Sequence, residues 1–414
     1  MEIAGQLSHS RDVRTYREIF ALPEFRVLFL ARCVTTTAVA TGSLALGATT
    51  YAGTGSPVLT ALAMFGGPLI TLLGSATVLS VSDTMGPRRA STIMPAAYVV
   101  AFAVQALPDL AWGWRFVILA LPHLVGSATS GATMRLLHEI VPADGFVLGR
   151  ASLNIAAGVM QVAGYGLGGL LLVWFSPTVL FLIAAGSAAA ATLILRFGIR
   201  ERAGVTSGKG VVERTREVNR ALLGSPVTRP LYLAMWVPNG LIVGCEALFV
   251  PYAGQSSAGY LFAATAAGML LGDVVVGRFV PPAHRDRLAG PLRLLLAAPY
   301  LGFWLAPAPA VAVVLGFVAS AGYAASLLWQ ERLVGVTGAA IRGQAFGLCS
   351  TGTMVGQAVG AGLGGVLAVP LGAPHAMGLL AVLSLAVSVA LTPGLRRSAP
   401  GHDRQGSSAL MSGF

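Results

Sequence analysis

The sequence predicts an all-α membrane protein with twelve transmembrane helices, arranged as two pseudo-symmetric bundles of six. Three observations support this fold class: the composition, the length of the apolar segments between charges, and an internal repeat. Of the 414 residues, 55% are hydrophobic and only 10% are charged, and the mean hydropathy is +0.75, which excludes an ordinary soluble domain. Twelve helices of about 20 apolar residues would use about 240 residues and leave the rest for loops.

Four segments without charged residues are too long to be single transmembrane helices. They are 33–82, 151–195, 294–330 and 343–395. Each has turn-forming residues near its middle, at 54–57, 176–177, 307–309 and 370–375, so each is predicted to be a hairpin of two helices. Four further apolar segments, at 91–107, 114–134, 230–252 and 257–277, complete the twelve helices.

The basic residues predict the orientation of the helices. An even number of helices places both termini on one side, and every Lys and Arg except Arg115 then falls on that side. Basic residues accumulate in cytoplasmic loops, so we expect a multi-pass protein of the cell membrane with both termini in the cytoplasm. The same bias accounts for the net charge of +11, which therefore does not indicate a nucleic-acid partner.

Two recurring patterns divide the chain into related halves. Segments 22–31 and 225–234 share Pro, Arg, Leu, Leu and Ala in register, and the pair Glu139 and Arg150 has the same spacing as Glu331 and Arg342. The predicted organisation is a six-helix bundle at 1–195, a cytoplasmic linker at 196–229, a second bundle at 230–395 and a cytoplasmic tail at 396–414. Parallel repeats of this kind place a substrate site between the halves and permit alternating access.

A glycine-rich stretch recurs at 164–169 and 360–365, and both copies satisfy the pattern G-x-G-x-x-G. A dinucleotide site needs a preceding strand and an acidic residue about 20 positions further on, and both are missing here. We therefore interpret Gly164, Gly168 and Gly169 as positions where helices pack closely. The three cysteines show no metal-binding spacing, so no cofactor or metal is predicted.

The loop after the second helix, D-T-M-G-P-R-R at 83–89, resembles the D-R-x-G-R-R signature of the major facilitator superfamily. Asp83, Gly86, Arg88 and Arg89 match that signature, and the resemblance extends over essentially the whole chain. In that superfamily the loop is a conformational latch, which is the role implied for these four residues. An ordinary turn on the basic side of the membrane would account for the arginines but not for Asp83.

Segments 15–26 and 139–154 resemble the drug-efflux and siderophore-exporter branch of that superfamily. The fifth helix is similar to its G-P-x-x-G-G antiporter signature, with Tyr165 in place of proline. The resemblance implies a monomeric, non-enzymatic, secondary-active transporter that exports a hydrophobic or amphipathic small organic compound in exchange for protons. An importer of the same architecture and a non-transporting membrane scaffold or sensor remain as alternatives.

Four ionisable residues fall at membrane depth, where a charge costs about 2.5 to 3.5 kcal/mol to insert. Glu246, Asp273 and His123 are the candidates for proton coupling, because a group in a low-dielectric cavity can bind and release a proton. Each also has a structural interpretation: Glu246 as a hydrogen-bonded acid, Asp273 as a partner of Arg278, and His123 as a packed neutral residue. Arg32 could face the cavity, or its side chain could extend so that the guanidinium group reaches the membrane surface.

Four neutral polar residues are candidates for the cavity wall: Asn154, Gln161, Asn239 and Gln357. Gln161 and Gln357 each precede a glycine-rich stretch, on the fifth and eleventh helices. The alternative for all four is hydrogen bonding between helices, worth about 0.6 kcal/mol on average. With so few polar positions, the predicted cavity is mostly apolar, which suits a hydrophobic or amphipathic solute.

Overall fold

The computed structural model describes residues 15–77, 86–142, 145–202, 210–338 and 341–396. These residues form helices, with turns between them and without strands, so the predicted all-α fold class is confirmed. The first half contains α1 (Tyr16–Ala21), α2 (Pro23–Thr54), α3 (Pro57–Phe65), α4 (Gly67–Thr77), α5 (Pro87–Gln105), α6 (Trp112–Ile140), α7 (Phe146–Trp174) and α8 (Pro177–Gly198).

The second half follows the helix α9 (Gly210–Gly224) and includes two short 3₁₀ segments. Its elements are α10 (Thr228–Glu246), α11 (Phe249–Phe279), α12 (Pro282–Ala297), a 3₁₀ segment at Ala298–Leu305, α13 (Pro309–Ala321), a 3₁₀ turn at Gly322–Ala324, α14 (Ala325–Val336), α15 (Arg342–Leu371), α16 (Ala373–Ala390) and α17 (Thr392–Arg396). The 3₁₀ turn joins α13 to α14 in one span, and the longer 3₁₀ segment extends α12.

Eight of the described helical segments are long and apolar enough to cross a membrane, and the pair α3 and α4, bent by 59°, makes nine. Helices α5, α6 and α10, of 19, 29 and 19 residues, lie between those segments and bring the number of spans to the predicted twelve. Successive spans alternate in direction. We call the side on which α2 begins and α16 ends the terminal side, and the opposite side the far side.

All four predicted hairpin turns separate helices in the structure. At the first turn, Gly55 ends α2 with a φ of 62°, a left-handed conformation that glycine adopts without steric cost. Ser56 then caps α3 by accepting a hydrogen bond from the Leu59 amide, and Pro57 occupies the first helical position. The local residues therefore determine where the chain reverses.

The predicted span 230–252 is interrupted near its far-side end. Helix α10 ends at Glu246, residues 247–248 form a short turn with Ala247 still in the right-handed helical region, and α11 begins at Phe249. Helix α11 is broken at Gly254, with a φ of 73° and a ψ of 170°, and its apolar span is Ser257–Phe279. This break falls between the predicted spans 230–252 and 257–277. Counting residues between charges could not detect the turn at 247–248, because apolar residues flank it on both sides.

The two halves repeat the same packing of helices. Helix α2 packs against α7 and α8, and its counterpart α10 packs against α15 and α16. The halves meet where α7 packs against α11 and where α15 packs against α3. These two contacts are equivalent under the repeat, since α15 corresponds to α7 and α11 corresponds to the pair α3 and α4.

Each glycine-rich stretch takes part in helix packing within its own half and in the contact between the halves. A methyl group added at Gly164 would lie 2.7 Å from the Ala40 Cβ of α2, and one at Gly168 would lie 3.3 Å from the Thr41 Cα. On another face of α7, a methyl group at Gly169 would lie 2.7 Å from the Gly259 carbonyl oxygen of α11. A methyl group at the equivalent Gly365 of α15 would lie 2.8 Å from the Val58 Cα of α3. Close approach at these crossings requires residues without side chains.

Candidate substrate cavity

A cavity of about 680 Å³ lies between α7 of the first half and α10, α11, α14 and α15 of the second half. Its volume is within the range of about 300 to 1,000 Å³ that is typical of sites for small organic molecules. Six of the residues singled out in the sequence contribute to its wall: Asn154, Gln161, Asn239, Glu246, Asp273 and Gln357. The structure therefore brings together residues that are up to about 200 positions apart in the chain.

The cavity extends through the molecule from the far-side half towards the terminal side. Glu246 and Tyr165 lie at its deep end, and Leu148 and Arg342 lie at the terminal-side ends of α7 and α15. At the far side, the glycine crossings of α7 with α11 and of α15 with α3 hold the halves together. Arg150 of α7 also lies against the α15 backbone at Gly347, so these two helices approach each other near the terminal side.

Three amides form a ladder across the boundary between the halves. The Gln161 Nε2 donates to the Gln357 Oε1 at 3.3 Å, and the Gln357 Nε2 donates to the Asn239 Oδ1 at 3.4 Å. Gln161 and Gln357 precede their glycine-rich stretches by the same number of residues, so they are equivalent positions in the repeat. Among the described residues, the buried Nδ2 of Asn154 has no hydrogen-bond partner, so it is one donor of the cavity wall that a substrate could use.

Glu246 accepts a hydrogen bond at the deep end of the cavity. The Tyr323 hydroxyl donates to its Oε1 at 3.3 Å. Around this pair lie aromatic rings of both halves: the Tyr165 ring is 5.4 Å from Phe65 and 6.1 Å from Phe262, measured between centroids. The Tyr165 hydroxyl donates to the Met64 carbonyl at 3.2 Å. A carboxyl group therefore sits among apolar and aromatic surfaces, where its charge is poorly solvated.

Asp273 lies on the α11 wall, nearer the terminal side than Glu246. Within the described part of the chain, it forms neither a hydrogen bond nor an ion pair, and the predicted pairing with Arg278 is not seen. Phe262, Thr265, Ala266, Met269 and Asp273 all line the cavity at helical spacing, so one face of α11 forms this wall.

His123 and Arg32 lie outside the cavity, within the first half. The His123 Nδ1 is 3.3 Å from the Thr71 hydroxyl oxygen, and both ring nitrogens are 3.4 Å from the Tyr98 hydroxyl oxygen. Arg32 lies on α2 and does not contribute to the cavity wall. His123 thus belongs to a polar group that connects α4, α5 and α6, separate from Glu246.

The arginines of the latch motif contact the chain just after α8. Arg88 pairs with Glu201 and donates to the Ile199 carbonyl at 3.4 Å, and the Arg89 Nε lies 3.2 Å from the Glu201 Oε1. Gly86 precedes α5 as its N-terminal cap residue. Asp83 lies outside the described residues, so the structure gives no partner for it.

The neighbouring Arg202 connects the same segment to other helix ends. Its guanidinium pairs with Glu24 at the start of α2, and its Nε lies 3.5 Å from a Glu139 carboxylate oxygen at the end of α6. Glu201 therefore pairs with arginines at the terminal-side end of α5, and Arg202 pairs with acids at the terminal-side ends of α2 and α6.

Sequence reasoning did not single out Tyr323, Phe262 or Glu201 as site residues. Phe262 could have been found from the helical spacing along α11, but a helix that is apolar on all sides hides the face that lines a cavity. Tyr323 gives no signal of its own, because tyrosine is common in membrane helices. The contacts of Glu201 depend on where the chain continues after α8, which no local pattern specifies.

No protein-family model and no curated protein matches the chain. Solved structures with a similar fold include several transporters. A POT family transporter in complex with a thioalcohol-conjugated peptide aligns with a TM-score of 0.66 at 12% identity, over 91% of this chain and 96% of the other. The nucleoside transporter NupG aligns with a TM-score of 0.61 at 12% identity, over 90% and 99% of the two chains.

A third similar structure is a bacterial homologue of the human lysosomal transporter Spinster, in an inward-facing and occupied conformation. It aligns with a TM-score of 0.53 at 16% identity, over 93% of both chains. At these identities the likeness shows the fold alone: the chain shares the helical fold of these transporters, in agreement with the predicted all-α fold class.

Proposed function

We propose that this chain is a secondary-active transporter of the cell membrane, which exports a hydrophobic or amphipathic small organic compound in exchange for protons by alternating access. The observation that carries this proposal is the cavity between the two halves, with the carboxyl of Glu246 at its deep end. The transporters of similar fold support the transport function, while export and proton coupling rest on the residues of this chain.

The composition of the cavity wall supports the proposed substrate class. Aromatic and aliphatic side chains at the deep end favour an apolar body, and the amide ladder with Asn154 offers a small number of hydrogen bonds. Sites of this kind bind organic molecules mainly by apolar contact and orient them by a few polar groups.

Proton exchange is a sufficient source of energy for this transport. A membrane potential of 100 mV supplies about 2.3 kcal/mol per elementary charge, so one proton per cycle would sustain a gradient of roughly fiftyfold. Glu246 is the primary candidate to carry that proton, because it lies in the cavity wall and His123 does not. Asp273 is the second candidate, on the same wall.

In this proposal the terminal side faces the cytoplasm and the protein acts as a monomer. Asp83, Gly86, Arg88 and Arg89 form the latch that steadies one access state. Arg88 and Arg89 are tied to Glu201, so the latch would act through the segment after α8 as well as through Asp83.

A resistance assay tests the proposal. The chain is expressed in a host that lacks its own efflux transporters, and the host is challenged with a panel of amphipathic compounds. We expect resistance to at least one compound, its loss in Glu246→Gln, and a reduction in Asp83→Asn. Glu331→Gln is the matched control, because Glu331 is an exposed acid that pairs with Arg285 away from the cavity.

Transport in vesicles of defined orientation then separates export from import. Export predicts that uptake into inside-out vesicles requires a proton gradient, whereas an importer would fill right-side-out vesicles. An importer should also tolerate a change at Tyr165, which belongs to the antiporter-like pattern. A scaffold or sensor would move no compound in either orientation and would be indifferent to Glu246→Gln.

A further inference from the structure

Two arginine side chains of the second half lie against the same tryptophan ring. The Arg293 Cζ of α12 is 5.5 Å from the centroid of the Trp329 ring of α14, and the Arg332 Cζ of α14 is 4.8 Å from it. Guanidinium groups are attracted to the face of an indole. Two positive charges at one ring nevertheless repel each other, so a negative charge between them would stabilise the arrangement.

Both guanidinium groups also bind the chain at the terminal-side end of α16. The Arg293 Nη2 donates to the Ser388 carbonyl and, at 3.2 Å, to the Thr392 hydroxyl oxygen. The Arg332 Nη1 donates to the Leu395 carbonyl of α17 at 3.5 Å. The last carbonyls of a helix lack a partner within the helix, and basic side chains commonly bind them. This role in capping α16 accounts for one nitrogen of Arg293 and leaves the other two unexplained.

Four donor atoms of this group are buried and have no hydrogen-bond partner among the described residues. They are the Arg293 Nε and Nη1, the Trp329 Nε1 and the Ser388 Oγ. Arg293 and Trp329 are each 3% exposed, and Arg293 forms no ion pair with any residue that the structure describes. A buried charge without an opposite charge is strongly unfavourable. The group therefore offers donors and positive charge to an acceptor that its described neighbours do not supply.

We propose that Arg293, Trp329, Arg332 and Ser388 form a binding site for a phosphate group. Phosphate oxygens accept several charge-assisted hydrogen bonds at once, and the guanidinium group is the side chain best suited to give them. Arg293, the Trp329 indole and the Ser388 hydroxyl supply donors, and Arg332 adds the second positive charge. None of the four residues contributes to the wall of the substrate cavity, so this site is separate from the proposed transport site.

The depth of the site in the membrane matches the headgroup of a lipid. Arg332 lies four residues before the end of α14, which is about 6 Å along the helix axis, and Thr392 follows the end of α16. The headgroup region on each side of a bilayer is several ångströms thick, so the site lies close to its inner boundary. Basic pockets between membrane helices bind anionic lipid headgroups at this level. Arg332 is half-buried and lies between Arg293 and the surface, so the phosphate enters past its side chain.

Native mass spectrometry of the purified full-length protein tests the proposal. The protein in detergent is titrated with dioleoylphosphatidylglycerol, which is anionic, and with dioleoylphosphatidylcholine, which has no net charge, and bound lipids are counted by mass. A hydrogen bond to a charged group contributes about 1.5 to 3 kcal/mol, which corresponds to about tenfold or more in affinity. We expect Arg293→Gln to weaken binding of phosphatidylglycerol by about that factor, and Arg332→Gln by about three- to tenfold. Arg293→Lys keeps the charge and should retain part of the affinity.

Arg115→Gln is the matched control on the far side. Arg115 is also buried, and its Cζ lies 5.4 Å from the centroid of the Trp112 ring, but its Nε and Nη1 donate to the carbonyls of Leu110 and Gln105. Binding in this variant should stay within about twofold of the original. Thermal unfolding without lipid shows whether each variant is folded. Trp329→Phe keeps a ring at the site and removes one donor, so a loss of affinity in this variant does not depend on the capping of α16.

Inorganic phosphate is the second probe and distinguishes the two sources of the ligand. Displacement of phosphatidylglycerol by millimolar phosphate would assign the site to the free anion, and its failure to displace the lipid would assign the site to the headgroup. Phosphatidylglycerol that binds equally well to folded Arg293→Gln, Arg332→Gln and Trp329→Phe would overturn the proposal. Phosphatidylcholine that binds the original chain as tightly as phosphatidylglycerol would overturn it as well, because the two positive charges would then have no effect on binding.

Discussion

At the scale of single residues, the amides of the ladder show how polar groups are satisfied at membrane depth. Gln357 both accepts from Gln161 and donates to Asn239, whereas Gln161 makes one of these bonds. Hydrogen bonds between membrane helices contribute about 0.6 kcal/mol on average, so the ladder orients the side chains more than it stabilises the fold.

The ladder leads to a prediction about coupling between two residues. We expect Gln161→Leu to lower the free energy of unfolding by about 0.6 kcal/mol, and Gln357→Leu by about twice that amount, because the latter loses two bonds. The double variant should cost less than the sum of the two, since one bond is shared. Unfolding of all three variants in mixed micelles measures this. Strict additivity would show that the two amides are not paired.

Glu201 is the acid on which three arginines converge. Arg88 pairs with it directly, the Arg89 Nε lies 3.2 Å from its Oε1, and the Arg196 Nη1 lies 3.9 Å from its Oε2. Glu201 is half-exposed, so each pair alone is worth little. The convergence matters because removing the acid leaves three positive charges close together without compensation.

We therefore predict that Glu201→Gln destabilises the protein by about 1 kcal/mol at low ionic strength. The effect should shrink at 1 M salt, where the screening length falls to about 3 Å. Glu331→Gln serves as a control, because Glu331 pairs only with Arg285 among the ion pairs of the described residues, and we expect a smaller change. The measurement is the unfolding midpoint of both variants at two salt concentrations. An effect of Glu201→Gln that is independent of salt would contradict the electrostatic explanation.

At the scale of elements, glycine determines how closely helices α10 and α15 approach. An added methyl group at Gly360 would overlap the Gly240 carbonyl of α10, and one at Gly364 would lie 2.5 Å from the Gly244 carbonyl oxygen. Gly362 lies between these positions on another face of α15, and an added methyl group there would meet no other atom within 4 Å. The same helix therefore contains a constrained glycine and an unconstrained one, two residues apart.

Substitution by alanine is predicted to have opposite effects on the free energy of unfolding at these two glycines. Gly360→Ala should destabilise the protein by about 1 to 3 kcal/mol, because it forces the backbones of α10 and α15 apart. Gly362→Ala should be neutral or stabilising by up to about 1 kcal/mol, because alanine favours the helical conformation. Thermal unfolding of the two variants compares them. Equal effects would mean that the close crossing does not depend on Gly360.

At the scale of the whole molecule, the features that sequence predicted are those with a local cause. The turn at 54–57 was predictable because Gly55, Ser56 and Pro57 act on their own backbone, and Glu246 was conspicuous because a charge at membrane depth is rare. The end of α10 was not predictable, since apolar residues continue across it. Tyr323 gains its significance only when the turn between α13 and α14 brings it to Glu246, and such a contact between distant segments leaves no pattern along the chain.

The arrangement of the halves yields a prediction about the entire transport cycle. On the far side, a methyl group at Gly259 of α11 would lie 2.2 Å from the Gly169 carbonyl oxygen of α7, so a larger residue at this position must push the two helices apart. We predict that Gly259→Ala prevents the far side from closing. Gly277→Ala is the matched control, because a methyl group at Gly277 of the same helix meets no atom of the described residues within 4 Å.

Alternating access requires this far-side contact to close and open in turn, so Gly259→Ala should abolish transport, whereas Gly277→Ala should leave it unchanged. Ser350 lies in the cavity wall, and Ser350→Cys provides a single thiol there in a chain whose three native cysteines are replaced by alanine. A membrane-impermeant thiol reagent added on the far side should label this position faster in Gly259→Ala than in Gly277→Ala. Transport that survives in Gly259→Ala, with far-side labelling no faster than in the control, would show that access does not depend on closing the crossing of α7 and α11, and the pathway would then have to close elsewhere.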